Sequence, residues 1–230
     1  MGLDPAERLA IVDRLLADPP VVHPMDRSSR PAMGVWSTEA SAYRFIAERC
    51  DEASRTLETG LGLSTALFAA LGCEHTCVTG SWDEVERLRT YCDLKGFDTA
   101  HVRFEAGGSH AALPRMLDDG ELDLVLVDGG HGYPTPILDW FYAGYRLRPG
   151  GVALIDDVHL PAVRSLLQFL DRDPRWPALE RNDKWHAYER RSSGPLVEDW
   201  TDQPHYVVHP PGLRSFVRRA VGKARSLAGR

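Results

Sequence analysis

The sequence predicts an α/β protein with a mostly parallel sheet, and the alternation of two patterns is the main reason. From residue 55 onward, short apolar runs that end in Gly, Asp or Ser alternate with amphipathic stretches of helical length. Because a helix follows each strand, successive strands need crossover connections, which makes them parallel and covers both faces of the sheet. A content of 43% hydrophobic and 26% charged residues is typical of a globular domain.

Five strands and four helices are predicted within the alternating region. The strands are Arg55–Glu58, His75–Thr79, His101–Ala106, Leu122–Asp128 and Gly151–Asp156. The helices between them are Ser64–Leu71, Trp82–Lys95, Ala111–Leu117 and Pro136–Arg146. After a further helix over Pro161–Asp171, we expect Lys184–Arg190 and His205–Val208 to form an antiparallel hairpin that completes seven strands.

The distribution of charge argues against a fold that binds nucleic acid. The formal net charge is −6, yet residues 214–230 hold six basic residues and no acidic one. Without these six positive charges the remaining chain carries −12, whereas phosphate binding needs a basic face. We interpret residues 214–230 as a basic amphipathic tail, either solvated or in weak contact with an anionic membrane surface.

Cysteine usage and the N-terminal residues predict a cytoplasmic protein. Four cysteines are too few and too clustered for a secreted disulfide scaffold. The N-terminal segment has early acidic residues and no long apolar run, so no signal peptide is predicted, and no stretch reaches the length of a membrane span. The sequence leaves the oligomeric state open, a homo-oligomer included.

Carboxylates at the ends of two predicted strands indicate a candidate site. Ligands of open parallel sheets bind outside the carboxyl ends of the strands. The fourth predicted strand ends at Asp128, and the fifth runs into Asp156 and Asp157. Asp128 and Asp156 are one strand–helix–strand unit apart, so we expect their strand ends to be neighbours.

Three carboxylates at one sheet edge would repel each other unless they were protonated or neutralised. A hard divalent cation, most simply Mg²⁺ with waters completing an octahedron, would neutralise them. Asp128, Asp156 and Asp157 are therefore the candidate metal ligands. In the alternative interpretation, Asp156 and Asp157 cap the next helix and Asp128 binds loop amides.

A glycine-containing turn follows the first predicted strand, in the sequence ETGLGLST over residues 58–65. Gly60 and Gly62 allow a tight turn and a close approach of the backbone to a ligand. Ser64 or Thr65 can cap the next helix, whose positive end faces the same cleft. A dinucleotide site would need a third glycine near Thr65, so Thr65 and Glu58 disfavour a nicotinamide-dependent oxidoreductase.

Two motifs resemble class I S-adenosylmethionine-dependent methyltransferases. ETGLGLST resembles their first motif, whose acid-x-Gly-x-Gly loop lies against the methionine part of the cofactor. The segment DLVLVDGGHGYPTPILDWFYAGYRLRPGGVALIDD is similar to a small-molecule O-methyltransferase pattern with Asp-Gly-x-His-x-Tyr, Pro-Gly-Gly and a strand ending in acids. The resemblance covers about Ser37 to Leu170 and implies a Rossmann-like methyltransferase fold. It also implies methyl transfer to a hydroxyl of a sugar, a phenol or another natural-product intermediate.

The resemblance also implies a set of cofactor-binding residues. These are Glu58, Gly60, Gly62, Ser64, Ser81, Ser109 and Asp128. The family usually has an acid at the end of the second strand for the ribose hydroxyls, but this chain reads VTGSWD there. We expect Ser81 or Asp83 to substitute for that acid, and Trp82 to contact the adenine. The alternative is a catalytically degenerate methyltransferase-like protein that binds or regulates, which the missing ribose acid favours.

Methyl transfer to a hydroxyl needs alignment and a base, because the sulfonium methyl is already activated. His131, three residues after Asp128, is the candidate base, and a metal ion would lower the pKa of the hydroxyl. His131 could instead bind the metal or brace its loop. Asp128 and His131 are therefore the candidate catalytic residues.

Three segments are expected along the chain. Residues 1–36 form an N-terminal helix and a Pro-rich, lid-like loop, residues 37–213 the methyltransferase domain, and residues 214–230 the tail. In the loop, His23, Met25 and Trp36 either shape an acceptor pocket or cover the sheet edge.

Overall fold

A computed structural model describes residues 2–24, 33–193, 199 and 203 of the chain. Residues 1–196 form one compact unit. The helix α1 (Pro5–Ala17) begins with a capping box, in which the Asp4 carboxylate accepts from the Glu7 N–H at 2.9 Å. Two short antiparallel strands follow, β1 (His23–Pro24) and β2 (Met33–Gly34). The predicted strand over 205–208 and the basic tail over 214–230 lie outside the described residues.

Seven further strands build the central sheet. In chain order they are β3 (Arg55–Thr59), β4 (Glu74–Thr79), β5 (Val102–Ala106), β6 (Leu122–Val127), β7 (Leu147–Ile155), β8 (Ala178–Arg181) and β9 (His186–Glu189). Their spatial order is β5-β4-β3-β6-β7-β9-β8, with parallel pairing as far as β7 and antiparallel pairing from there. The predicted α/β class, the seven-stranded sheet and the antiparallel hairpin at its edge are confirmed.

Helices cover both faces of the sheet, as predicted. They are α2 (Ala40–Arg49), α3 (Leu63–Leu71), α4 (Trp82–Lys95), α5 (Ser109–Ala112), α6 (Thr135–Gly144) and α7 (Pro161–Leu170). Alternate residues of β6 enter two separate cores: Leu124 and Leu126 pack with α1 to α4, whereas Val125 and Val127 pack with α6 and α7. None of the helices in the described ranges is long and apolar enough to cross a membrane.

Several elements differ from the sequence-based prediction. β1 and β2 lie in the segment predicted as a loop, and β7 begins at Leu147 and not at Gly151. The helix expected over Ala111–Leu117 is the short α5 followed by a 3₁₀ helix over Leu113–Met116. Pro114 lies in its first turn and lacks the N–H that would continue the α5 ladder. The partner of β9 in the hairpin is β8, for which no strand was predicted; three of its four residues are exposed, so it lacks the apolar alternation of a strand.

Candidate active site

A cavity of about 880 Å³ opens at the carboxyl ends of the parallel strands. It is lined by residues that directly follow the five parallel strands: Gly60 after β3, Gly80 after β4, Gly107 after β5, Asp128 after β6 and Asp156 after β7. This is the position expected for a ligand site in an open α/β sheet, and the volume is in the range of small-molecule sites.

The turn after β3 requires glycine at its first position. Gly60 has φ +97°, and its N–H donates to the Val78 carbonyl at 2.9 Å. A Cβ at residue 60 would lie 2.3 Å from the Asp128 carbonyl oxygen, so no side chain fits there. The Gly62 N–H donates to Thr65 Oγ1 at 3.0 Å, which closes the turn onto the start of α3. The β3 turn and the β6 loop are thus in direct contact.

Glu58 lies beneath this turn in a buried polar network. Its side chain is 1% exposed. The Glu58 carboxylate accepts from Ser64 Oγ at 2.6 Å and from the Thr65 hydroxyl, and pairs with His75 Nε2 at 3.1 Å. His75 Nδ1 lies 2.8 Å from Thr56 Oγ1. Glu58 and Ser64 therefore brace the glycine turn from below, whereas Gly60 lines the cavity.

The residues expected to replace the ribose acid lie away from the cavity lining. Ser81 is the N-cap of α4, and its hydroxyl accepts from the Asp83 N–H at 3.2 Å. Trp82 and Asp83 are exposed. Among the predicted cofactor residues, Ser109 lines the cavity near its neighbours Gly108 and His110.

Glu84, on the first turn of α4, is the acid that lines the cavity at this strand end. Its carboxylate accepts from Thr79 Oγ1 at 3.2 Å and lies 3.1 Å from His23 Nδ1. The bond to His23 lowers the pKa of Glu84, while burial opposes the shift. Glu84 was not predicted because the family's ribose acid is expected at the end of the strand, five residues earlier. The available signal was the position of Glu84 on the first turn of the predicted helix Trp82–Lys95.

Part of the N-terminal loop lines the same cavity. The rings of His23 and Trp36 stack with centroids 4.8 Å apart and planes 9° apart, and both residues line the cavity. Arg87 Nε donates to the Val22 carbonyl at 2.8 Å, which fixes β1 against α4. Met25 lies outside the described residues. For His23 and Trp36, the geometry favours a role in shaping the pocket.

The loop after β6 brings His131 between two carboxylates. His131 Nε2 lies 3.3 Å from Asp157 Oδ2 and 3.7 Å from Asp128 Oδ1. Asp157 has φ +54°, in the left-handed region that non-glycine residues adopt infrequently and often at functional sites. His159 Nδ1 is 3.8 Å from Asp157, but its side chain is 55% exposed and it does not line the cavity.

The proximity of these groups changes their proton affinities. Burial, together with the charges of Asp156 and Asp157, raises the pKa of Asp128 to about 7, although the contact with His131 opposes this. The contact with Asp128 raises the pKa of His131, burial opposes it, and Asp157 adds to the rise. Asp128 and His131 therefore both hold a proton to higher pH than the free side chains do.

Asp156 is held by two groups that no sequence motif connects with it. Its side chain is 2% exposed; Oδ1 accepts from Thr38 Oγ1 at 2.6 Å, and Oδ2 lies 3.1 Å from Lys184 Nζ. Lys184 also contacts the Asp157 carboxylate. The helix-cap alternative is not observed, since within the described residues no side chain caps the start of α7. Lys184 comes from the β8–β9 turn, where no motif marks it.

Three of these residues fit one metal ion. One ligand atom each from Asp128, His131 and Asp157 lie within 4.8 Å of one another. Two carboxylate oxygens and an imidazole nitrogen are common ligands of divalent ions. Asp156, the third predicted ligand, is not in this group because its oxygens face Thr38 and Lys184.

Comparisons with known proteins agree with the fold and the position of the site. Residues 57–158 match a family model described as a methyltransferase domain. No curated protein sequence shows significant similarity to the chain.

Several solved structures share the fold. Cofactor-bound Rv0187 from MTB is 21% identical, covers 84% of this chain and 92% of its own, and has a TM-score of 0.56. The O-methyltransferase TomG from Streptomyces achromogenes is involved in tomaymycin synthesis and was solved with SAM. It is 17% identical, the match covers 84% of this chain and 92% of TomG, and the TM-score is 0.58. The SAH-bound methyltransferase PaMTH1 from Podospora anserina is 20% identical, the match covers 68% of this chain and 80% of PaMTH1, and the TM-score is 0.55.

The fold is that of class I methyltransferases, and the matched region contains the glycine turn. The family match spans β3 to β7, the strands whose carboxyl ends line the cavity. The predicted Rossmann-like methyltransferase fold is confirmed.

Proposed function

We propose that this protein is an S-adenosylmethionine-dependent methyltransferase that transfers the methyl group to a hydroxyl of a small molecule, such as a sugar or a phenolic natural-product intermediate. The observation that carries the proposal is the position of His131, which lines the same cavity as the glycine turn and lies between two carboxylates. An acceptor hydroxyl must lose a proton as it attacks, and a histidine held by acids is suited to take that proton.

His131 is the proposed base, and its neighbours tune it. It accepts the hydroxyl proton at Nδ1, because Nε2 is buried and faces Asp128 and Asp157, whose carboxylates stabilise the imidazolium that results. Stacked His23 and Trp36 line the same cavity and restrict the orientation of the acceptor. Restricting that orientation supplies the entropic part of the rate enhancement.

A divalent ion, most simply Mg²⁺, is part of the proposal. Asp128 and Asp157 would hold it through carboxylate oxygens, the ligands that Mg²⁺ prefers. His131, the third member of that group, is proposed to act as the base and not as a ligand. When bound, the ion would lower the pKa of the acceptor hydroxyl. The residues of this chain would bind the ion and orient the acceptor beside it.

The cofactor is proposed to lie along the glycine turn. Gly60, Ser109 and Asp128 would contact it directly, and Gly62, Glu58, Ser64 and Ser81 would shape the surrounding turns. Glu84 is proposed as the acceptor for the ribose hydroxyls, because it lines the cavity with an ionised carboxylate beside Thr79.

We expect Glu84→Gln to weaken binding of S-adenosylhomocysteine by about tenfold, because a hydrogen bond to a charged group contributes roughly 1.5–3 kcal/mol. Isothermal titration calorimetry measures this change. The matched control is Glu86→Gln, since Glu86 lies on the same helix and pairs with Arg89 at the surface. Equal affinity in the wild type and Glu84→Gln would remove Glu84 from the ribose site.

The test of the function is transfer of a labelled methyl group. The chain is incubated with methyl-labelled S-adenosylmethionine and a panel of catechols, other phenols and sugars, and the products are analysed by mass spectrometry. We expect label on a hydroxyl oxygen. Binding of S-adenosylhomocysteine without transfer to any acceptor would instead favour the degenerate, binding or regulatory alternative.

The localisation and the partners of the protein are proposed from its sequence. We infer a cytoplasmic enzyme that acts on a small molecule and does not bind nucleic acid, since the chain outside the tail is acidic. Weak membrane-surface contact by residues 214–230 and assembly into a homo-oligomer stay predictions of the sequence alone.

A further inference from the structure

A lysine from outside the methyltransferase motifs contacts the carboxylate pair after β7. Lys184 Nζ lies 3.1 Å from Asp156 Oδ2 and also contacts Asp157 Oδ1. Asp156 is almost fully buried, and the Lys184 side chain is 24% exposed. The ammonium group therefore neutralises charge at a place where solvent screens it only in part.

The backbone around Lys184 is fixed on both sides. The Lys184 N–H donates to Asn182 Oδ1 at 2.9 Å, and its carbonyl accepts from the Val158 N–H at 3.1 Å. Trp185 is fully buried, and its Nε1 donates to Ser41 Oγ at 2.9 Å. Val158 directly follows Asp157, so the turn that carries the lysine is tied to the loop that carries the acids.

This arrangement occupies Asp157, which a metal ion would need, and its buried neighbour Asp156. Asp156 uses Oδ1 for Thr38 and Oδ2 for Lys184, while Asp157 divides its oxygens between Lys184 and His131. A divalent ion on these carboxylates would lie close to the ammonium group, and the two cations would repel each other. The ion must therefore displace Lys184 or bind weakly beside it.

We propose that Lys184 is a tethered cation that competes with a divalent metal ion for Asp157 and thereby sets the metal dependence of this site. This role rests on the proposed function and deepens it, because it assigns control of the metal to a residue of the β8–β9 turn. A lysine has one positive charge and a flexible stem, so it can balance the acids without fixing a coordination geometry.

The experiment compares Mn²⁺ binding by the wild type and Lys184→Met in the full chain, without methyl donor or acceptor. Mn²⁺ is the probe because electron paramagnetic resonance reports its free concentration and calorimetry its heat of binding. We expect Lys184→Met to bind Mn²⁺ at least about tenfold more tightly, since a neighbouring positive charge has been removed. Lys184→Arg keeps the charge and is expected to bind as the wild type does.

The matched control is Lys95→Met, which removes a lysine that pairs with Asp18 at the surface. It should leave Mn²⁺ affinity unchanged. If Lys184→Met does not fold, Lys184→Gln is measured in its place, with binding of S-adenosylhomocysteine as the check of folding. Mn²⁺ affinity that is equal or lower in the neutral variant overturns the proposal, as does tighter binding by Lys184→Arg.

The outcome is independent of methyl transfer. A chain that binds Mn²⁺ more tightly after Lys184→Met but methylates no hydroxyl supports the role of Lys184 and contradicts the proposed function. Methyl transfer by the wild type, with unchanged Mn²⁺ affinity in the neutral variant, supports the proposed function and contradicts the role of Lys184.

Discussion

Replacing His131 with alanine is expected to lower kcat for methyl transfer by about 10²–10⁴-fold, the usual contribution of a general base. Affinity for S-adenosylhomocysteine should change little, because the base acts on the acceptor hydroxyl. Steady-state kinetics with a fixed acceptor, together with calorimetry for the cofactor product, separate these two effects. The matched control is His159→Ala, because His159 also lies near Asp157 but is mostly exposed.

The pH dependence gives a second readout of the same role. His131 accepts a proton only when neutral, so the rate should rise with pH as His131 deprotonates. The nearby Asp128 carboxylate raises the pKa of His131, which puts the midpoint above the ordinary value of 6.5. Asp128→Asn removes that charge and should shift the midpoint to lower pH. An identical pH profile in His131→Ala and the wild type would exclude His131 as the base.

Gly60→Ala is expected to abolish useful cofactor binding. Its φ of +97° is unfavourable for an L-residue by about 1–2 kcal/mol, and the added Cβ would meet the Asp128 carbonyl oxygen at 2.3 Å. The turn must move away from the β6 loop, so affinity for S-adenosylhomocysteine should fall by about 100-fold or more, equivalent to about 2.8 kcal/mol. Calorimetry measures the loss.

Gly96→Ala separates the backbone penalty from the steric clash. Gly96 also has a positive φ of +73°, but no atom lies within 4 Å of its added Cβ, and it ends α4 away from the cavity lining. The Gly96 variant should be less stable by about 1 kcal/mol yet bind the cofactor product normally. If Gly60→Ala also binds normally, the turn does not hold the cofactor.

The alternating pattern predicted β3 to β6 well because each of these short runs is followed directly by Gly or Asp and then by a segment of helical length. The helix over Trp82–Lys95 and the strands β3 to β6 appear within one or two residues of their predicted bounds. β8 was missed since an exposed edge strand lacks that signal, and its pairing with β9 depends on the hairpin turn.

At the site, the sequence predicted the residues that directly follow strands and missed the residues that tertiary packing brings to the cavity. Asp128 and Asp157 converge on one cavity because β6 and β7 are parallel neighbours. Glu84 and Lys184 reach the cavity from a helix and from a hairpin turn, whose positions relative to the strand ends are fixed only in the folded chain. Those two residues carry the ribose proposal and the metal proposal.

The two sealed faces of the sheet leave the carboxyl edge as the place where new specificity can arise. Trp36, His110 and Thr135 line the cavity from a loop and from the starts of helices, outside both apolar cores. Loop-borne side chains tolerate exchange more readily than core ones. Substitutions at these positions are therefore expected to change the specificity for the methyl acceptor with little effect on the stability of the fold.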